Sequence, residues 1–557
     1  MRLVPPRAVG WILAAITVAI VLANQAAVGV ARDEVVYMDA GDRYADWWLR
    51  LAAHDVGVGK DSITGTFGGK HATDNNREHP PLMKTLVGLS HRFAVLARSD
   101  GHRMPGALRG VAWAVDQLSP SELTAYRLPT ALLHGLLVLL VFLMVLEVWG
   151  YAEAITSGLV MMFLPRALFH AGLVAFDAPI MAMWFAAVYA YWRCLDGRSW
   201  PWQLGIVFGL ALATKHNAFL LPFAFILHYP IAGLRARGLA GIVVWRWRVI
   251  VSLIVLAPLT LLAVWPWLWL DPIGHVTDWL SFHTNHVNYH FEYLGKNWNA
   301  PPFPWHVALL TTALTVPTVT LVAAGLGFAR WIVHRTRDAR MPALLLGLSA
   351  VAAIAPFFIP TTPIFGAEKH WMPALPTLCI AAGVGTVWAA RQAARAFRPR
   401  FARPILSLVV TAVVAAAVVE TVVAQPYALS SYTALAGGAP GGADLGMNRQ
   451  FWGISARGVL PVLAGEGTPS AELPVYAHDA SPAWDLYQRL GLLPRTRKHA
   501  GQEQSGVDRS KLAIVVHEKH FNKHDYMIWR TYRTLQPFYV LRFHGVPIVS
   551  VYRRPTP

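Results

Sequence analysis

Long apolar runs, broken by short arginine-bearing loops, dominate this chain. They approach or exceed the ~20 residues that a helix needs to cross a bilayer. They fall at roughly 8–30, 124–148, 152–171, 175–194, 202–216, 217–234, 247–270, 305–330, 341–360, 371–391 and 402–424. The pattern predicts about eleven transmembrane helices, the fifth and sixth short enough to be broken or tilted. The loops check the count, because Lys and Arg concentrate on the cytoplasmic side. With the N-terminus cytoplasmic, the inside loops carry Arg2 and Arg7; Arg193 and Arg198; Arg235, Arg237, Arg246 and Arg248; Arg330, Arg335, Arg337 and Arg340; and Arg391, Arg395, Arg398, Arg400 and Arg403. Only the loop at 149–152 lacks a cation. Losing one span would invert every later loop, so the agreement supports the count. This orientation places the first loop (31–123), the 271–304 loop and everything after Gln425 outside the cytoplasmic membrane.

The external segments have patterns of their own. Residues 35–53 set Tyr37, Tyr44, Trp47, Trp48 and Leu51 among Asp39, Asp42, Arg43 and Asp46, the pattern of a helix lying in the membrane interface. Pro80-Pro81 open a second helical stretch with Leu82, Leu86, Phe93 and Ala94, since proline suits a helix start. Residues 57–76, with Gly57, Gly59, Gly65, Gly68 and Gly69, read as a flexible connector. In the tail, Leu473 to Tyr476, Leu512 to Val516 and Pro547 to Tyr552 predict strands, and 481–490 and 522–534 predict helices. The expected fold is therefore an α-helical polytopic membrane protein, with interfacial helices in its first external loop and a small C-terminal α/β external domain. The division is 1–425 and 426–557.

Composition narrows the class. Of 557 residues, 55% are hydrophobic and 14% charged, against about a quarter charged in soluble domains. The formal charge of +17 would suggest nucleic acid in a soluble chain. Here the arginines sit in short loops and account for orientation, so no nucleic-acid partner is expected. The two cysteines, Cys194 and Cys379, lie in apolar runs and predict no disulfide framework. The first apolar segment is long for a signal peptide and has no convincing cleavage site before Arg32, so it is expected to stay as a helix.

Several polar groups stand where stability does not ask for them. Asp33 and Glu34 directly follow the first span, where carboxylates must stay hydrated or paired. One could deprotonate an acceptor while the other orients it; the pair could also simply end the helix. Glu78-His79-Pro80-Pro81-Leu82-Met83-Lys84 sets a lysine in the first turn of a helix facing the bilayer surface, a seat for phosphate oxygens, although a snorkelling lysine has the same pattern. Asp177, in Phe176-Asp177-Ala178-Pro179, opens the fourth span and also fits a plain helix cap. Arg127, Lys215 and Lys369 join Lys84 as outer-leaflet cations able to hold a lipid phosphate, with generic anchoring to anionic lipid as the alternative. The 275–306 loop holds His275, His283, His286, His290 and His306. A divalent metal at His283 and His286, with Glu78 or His79, stays open, but histidines in polar loops more often hydrogen-bond, and no other cofactor is indicated. No P-loop or G-x-G-x-x-G turn is present, which disfavours a nucleotide-sugar enzyme.

These motifs occur in a telling order: Asp33-Glu34, Glu78-His79-Pro80-Pro81-Leu82 with Lys84, Tyr126-Arg127-Leu128-Pro129, Phe176-Asp177-Ala178-Pro179, and Gly209-Leu210-Ala211-Leu212-Ala213-Thr214-Lys215. The series resembles the GT-C membrane glycosyltransferases of the protein O-mannosyltransferase and aminoarabinose lipid A transferase type, over about residues 10–460. Gln425-Pro426-Tyr427, Gly437-Gly438 and Phe451-Trp452-Gly453 look like bacterial members. The resemblance implies transfer of a sugar from a polyprenyl-phosphate donor to a protein, lipid or glycan acceptor at the outer face of the cytoplasmic membrane. It maps the first acidic residue onto Asp33, with Glu34 adjacent, and a second onto Asp177. The phosphate-holding cations map onto Lys84 and Arg127, with Lys215 and Lys369 as further candidates, and Glu78, His79, His283, His286 and His370 are expected around the substrate. Lys369-His370-Trp371 departs from the Arg-Tyr of many relatives. A transporter or flippase of a lipid-linked sugar is the main alternative; a glycan-binding sensor is a third.

Overall fold

The computed structural model describes residues 5–68, 76–100, 106–244, 246–334, 338–397, 399–465, 474–519 and 522–555. Arg2, Arg335, Arg337, Arg398 and Gly69 lie outside them. The fold is mostly helical. Among the described residues, six helices are long and apolar enough to cross a membrane: Pro6–Gln25 (α1), Glu122–Val148, His216–Ala240, Trp247–Val264, Met372–Arg395 and Pro399–Ala424. A seventh span forms if Tyr151–Met162 and Pro165–Ala171, bent by 66° at Phe163-Leu164, count as one. The chain is a multi-pass membrane protein. The remaining predicted spans are helices too: Asp177–Cys194, Pro201–Leu212, Val307–Thr315 with Thr318–Val333, and Pro342–Ile354.

Proline explains the breaks. It has no N–H to continue a helix, its ring clashes with the preceding turn, and it disfavours helical backbone in the residue before it. Pro165 follows the bend after Met162, and Pro317 divides the predicted 305–330 run. The carbonyls released at the bend find donors on the last long helix: Thr421 Oγ1 donates to Phe163 O at 2.9 Å and Gln425 Nε2 to Pro165 O at 3.4 Å.

Between the first two spans lie Arg32–Ala52 (α2), Lys60–Phe67 (α3), Leu82–Asp100 (α4) and Gly106–Leu118 (α5). Over Lys60–Phe67 the helix α3 corrects the expectation of a flexible connector over 57–76, of which 69–75 lie outside the described residues. Its Ile63 and Phe67 are buried against Tyr44 and Trp47 of α2, and that contact outweighs the glycine-rich composition. α2 and α4 cross with their backbones almost touching: a Cβ on Gly88 would lie 2.0 Å from Gly41 O.

The C-terminal sheet has strand order β3-β4-β6-β5, made of Val475–Ala477 (β3), Leu512–Val516 (β4), Tyr539–Phe543 (β5) and Val546–Arg553 (β6). β3 and β4 are parallel, with Val475 opposite Leu512, and the other pairs are antiparallel. All five residues of β4 are buried, as expected of a strand covered on both faces. One face packs Ala513 and Val515 against Met527, Ile528 and Tyr532 of Asn522–Tyr532. The other joins Ile514 and Val549 to a cluster that also contains Tyr37, Met83, Tyr126 and Phe176. The sheet and the first loop thus share a core. Leu473, part of the first predicted strand, lies outside the described residues. β5 and a short hairpin in the 271–304 loop, Phe291–Tyr293 (β1) with Lys296–Trp298 (β2), were not expected.

Candidate functional site

A cavity of about 900 Å³ opens where the first loop, the 271–304 loop and the ends of several helices meet. That is near the upper end for small-ligand sites. Asp33, Glu78, His79, Asp177, Lys215, Lys369, His283, His286 and His370 line it, so nine of the twelve predicted site residues converge on one space. Lys84, Arg127 and Glu34 do not.

Asp33 and Glu34 are separated by helix geometry. Both sit in the first turn of α2, and successive residues on a helix point about 100° apart. Asp33 is half-buried and lines the cavity, and among the described residues its carboxylate makes no hydrogen bond or ion pair. Glu34 turns the other way and is fully buried. Arg127 Nε donates to its Oε1 at 2.8 Å and Nη2 to its Oε2 at 2.7 Å, while the backbone N–H groups of Ala31 and Val174 each donate at 2.7 Å. Arg127 spends its other donors on the carbonyls of Gln25, Val28 and Gly29. This network ties the end of α1, the start of α2, the helix Glu122–Val148 and the 174 loop together. It leaves Arg127 nothing with which to meet a phosphate.

Lys84 is likewise turned inward rather than toward the bilayer surface. It is buried, and its Nζ donates to the Asn76 carbonyl, to Asn76 Oδ1 at 3.1 Å and to His79 O at 2.8 Å, with Tyr44 OH 3.4 Å away. It fixes the 76–79 turn from behind, so that Glu78 and His79 face the cavity. Burial pushes its ammonium down to about 7, opposed by the Glu78 carboxylate.

The two remaining predicted cations face the cavity in different states. Lys215 donates to Asp177 Oδ1 at 2.7 Å, and His170 Nδ1 lies 3.7 Å from Asp177 Oδ2. Lys369 has no such partner among the described residues. Its Nζ sits over the rings of Trp452 (4.4 Å), Phe365 (4.7 Å) and Phe451 (4.9 Å). Aromatic faces attract a cation without neutralising it. Burial lowers this ammonium to about 8, against the pull of Asp177 and Asp33.

Imidazoles form the opposite wall. His283 Nε2 lies 3.0 Å from Glu78 O, and its ring stacks on His216 at 3.7 Å. Burial pushes His283 down to about 4 and holds His79 and His370 well below the usual histidine value. All three are neutral near pH 7 and can offer or accept a hydrogen bond without adding charge. Among the described residues, no group of three or more His, Cys, Asp or Glu side chains is arranged to hold a metal ion. Sequence reasoning missed Arg32, His216 and Trp452, all of which line the cavity. Arg32 was legible as the neighbour of Asp33. Nothing in the local pattern marked Trp452 as the lid over Lys369.

The arrangement sets a carboxylate and an ammonium, neither in a salt bridge among the described residues, in one aromatic-walled cavity. It suits a reaction in which one group takes a proton and the other receives a departing anion.

Residues 110–265 match the family described as dolichyl-phosphate-mannose-protein mannosyltransferase. Among solved structures, the chain is similar to ArnT from Cupriavidus metallidurans in the apo state, at 14% identity and TM-score 0.49 over 98% of each chain. The same protein bound to undecaprenyl phosphate matches at 13% and 0.49 over 97% of each. The archaeal oligosaccharyltransferase AglB from Archaeoglobus fulgidus, in complex with an inhibitory peptide and a dolichol-phosphate, matches at 10% and 0.46, over 97% of this chain and 74% of that one. No curated protein matches in sequence. The ordered motifs and the match over 110–265 agree, and the chain resembles the GT-C glycosyltransferases of the protein O-mannosyltransferase and aminoarabinose transferase type.

Proposed function

We propose that this protein is a GT-C glycosyltransferase of about eleven spans. It would move a sugar from a polyprenyl-phosphate donor to a protein, lipid or glycan acceptor at the outer face of the cytoplasmic membrane. Its N-terminus is cytoplasmic, and 1–425 and 426–557 are its transmembrane and external domains. The observation that carries the reading is that Asp33 and Lys369 both line one cavity; the family match over 110–265 supports it.

Asp33 has the properties of a general base. It takes the proton of the acceptor hydroxyl or amine as that atom attacks the anomeric carbon. The bond from that carbon to the phosphate oxygen breaks, and the lipid phosphate leaves with the electron pair. Charge grows on the departing oxygen, and Lys369, fixed by three rings, stabilises it as it grows. Lys215, already shared with Asp177, adds a weaker field. The displacement is single and inverts the anomeric centre. Glu78, His79, His283, His286 and His370 supply neutral or acidic hydrogen-bonding groups for the sugar. Glu34, Arg127 and Lys84 hold the frame.

The test is transfer from a panel of radiolabelled undecaprenyl-phosphate-linked hexoses and an aminopentose. It uses the purified chain in lipid vesicles with membrane extract as acceptor. One donor is expected to support transfer, and Asp33→Asn should lose about 10²–10⁴ in rate. Full activity in Asp33→Asn removes the base assignment, and undecaprenyl phosphate binding without transfer from any donor favours a carrier.

A further inference from the structure

Two residues shortly before Asp33, Val30 and Arg32, are held by groups from the C-terminal region. The Val30 N–H donates to Tyr487 OH at 2.9 Å. Tyr487 belongs to the short helix Trp484–Arg489 packed on the sheet. The Arg32 guanidinium donates to Asp479, two residues beyond the end of β3. The Arg32 N–H donates to Trp452 O at 3.0 Å.

Asp479 reaches the cation end of the cavity as well. Trp452 and Gly453 both adopt positive φ, at 68° and 72°. For tryptophan that backbone is a rare and costly state, kept only where the surroundings enforce it. A Cβ on Gly453 would lie 2.5 Å from Asp479 Oδ2, so the carboxylate packs closely against this turn. The turn aims the Trp452 ring at Lys369 Nζ, 4.4 Å away. One buried side chain, 4% exposed, therefore braces both the residue before Asp33 and the ring that cages Lys369.

From this geometry we infer that the C-terminal domain is a working part of the site, and that Asp479 is a positioning residue. It orients Asp33 through Arg32, and Lys369 through the 452–453 turn. The inference rests on the assignment of Asp33 as base. The domain then does more than project toward an acceptor: it closes the catalytic frame from outside the membrane. The ends of β3 and β4, where ligands of open parallel sheets usually bind, are here used to grip the enzyme's own loops. After β4, the Lys519 N–H donates to Glu292 of β1, and Lys519 Nζ reaches Gly295 O at 3.2 Å.

The test compares wild type, Asp479→Asn, Tyr487→Phe, Asp33→Asn and Asp33→Asn/Asp479→Asn, each as the full chain in lipid vesicles. Hydrogen exchange is read in peptides covering 30–37, and turnover with the active donor of the panel above. In Asp479→Asn, exchange over 30–37 should rise at least tenfold, and kcat should fall ten- to a hundredfold with KM within threefold. Tyr487→Phe should move both in the same direction by less. The double variant should be slower than Asp33→Asn alone by clearly less than the full Asp479→Asn factor, because only the Lys369 arm is left to position. Unchanged exchange in Asp479→Asn overturns the inference. So does a double variant slower than Asp33→Asn by the full Asp479→Asn factor, the mark of a general structural loss. Absence of transfer by wild type defeats the enzyme assignment instead, and the exchange comparison still decides whether Asp479 holds the 30–37 segment.

Discussion

Removing the carboxylate of Glu34 should unfold part of the protein rather than merely silence it, whereas removing that of its neighbour Asp33 should do the reverse. Glu34→Ala would leave the Arg127 guanidinium, fully buried, with carbonyl partners only and no counter-charge. Breaking a buried pair by deleting one member typically costs about 3–5 kcal/mol. The two backbone N–H groups that Glu34 satisfies, of Ala31 and Val174, would add to that. Taking about 4 kcal/mol, the folding equilibrium falls about a thousandfold, a large part of the ~5–15 kcal/mol that holds a typical domain. Glu34→Gln keeps the shape and one acceptor oxygen, while its NH2 faces a donor, so it should still destabilise, by less than Glu34→Ala. Deleting both charges, in Glu34→Met/Arg127→Met, should recover much of the loss, because two apolar groups need no counter-ion. The assay is denaturant unfolding in detergent micelles, with the pair coupling taken from the four-member cycle. Asp33→Asn runs beside it and should unfold like wild type. Wild-type stability in Glu34→Ala, or a double variant worse than the sum of its singles, would refute the structural role. Catalytic function would then return to Glu34.

Other expectations follow from the same geometry. Lys369→Gln removes the ammonium caged by Trp452, Phe365 and Phe451 and should weaken undecaprenyl phosphate binding by roughly 10- to 150-fold, the worth of about 1.5–3 kcal/mol for a hydrogen bond to a charged group, as read by titration calorimetry. The pH dependence has a definite sign. The folded-state value of Lys369, about 8, lies below that of free lysine. Keeping the charge therefore costs stability below pH 8, and the cost is relieved as pH rises from 8 toward 10.5. Undecaprenyl phosphate affinity should run the other way, steady near pH 7 and falling above pH 8, and Lys369→Arg should flatten that fall; an unchanged fall in Lys369→Arg would assign it to another group. Gly88→Ala drives a methyl into Gly41 O and should lower stability by about 1–3 kcal/mol; a neutral effect would mean that α2 and α4 part more easily than their contact suggests.

The membrane pattern and the site were legible to different degrees, for physical reasons. Apolar length is a property of the segment itself, so helices appear wherever the sequence placed a span. The bend at Phe163-Leu164 depends on Pro165 and on partners supplied by Thr421 and Gln425, far along the chain. Residue chemistry marked Asp33, Asp177, Lys215 and Lys369, because charges at a membrane edge must have a reason to be there. It could not sort cavity-facing groups from frame-holding ones. Asp33 and Glu34 differ only by the helical turn between neighbours, and Lys84 and Lys369 differ only by what lies beside them: carbonyls for the first, rings for the second. The Asp479 contact joins residues 447 positions apart, and no local motif announces it.

On the proposed reading, the broken helix sets the depth at which chemistry would take place. A straight helix over 151–171 would climb about 31 Å, enough to cross the ~30 Å hydrocarbon layer. With 12 residues upright and 7 tilted by 66°, the climb is about 22 Å plus the small rise of the two linking residues. With the first segment standing along the bilayer normal, the chain that turns back toward Asp177 would do so several ångströms short of the far headgroup plane. A carrier lipid anchored in that leaflet would not have to lift its phosphate out of the membrane to be used; the water-borne acceptor is the partner that must descend, and the well it enters admits only what is slender or flexible enough to reach the bottom.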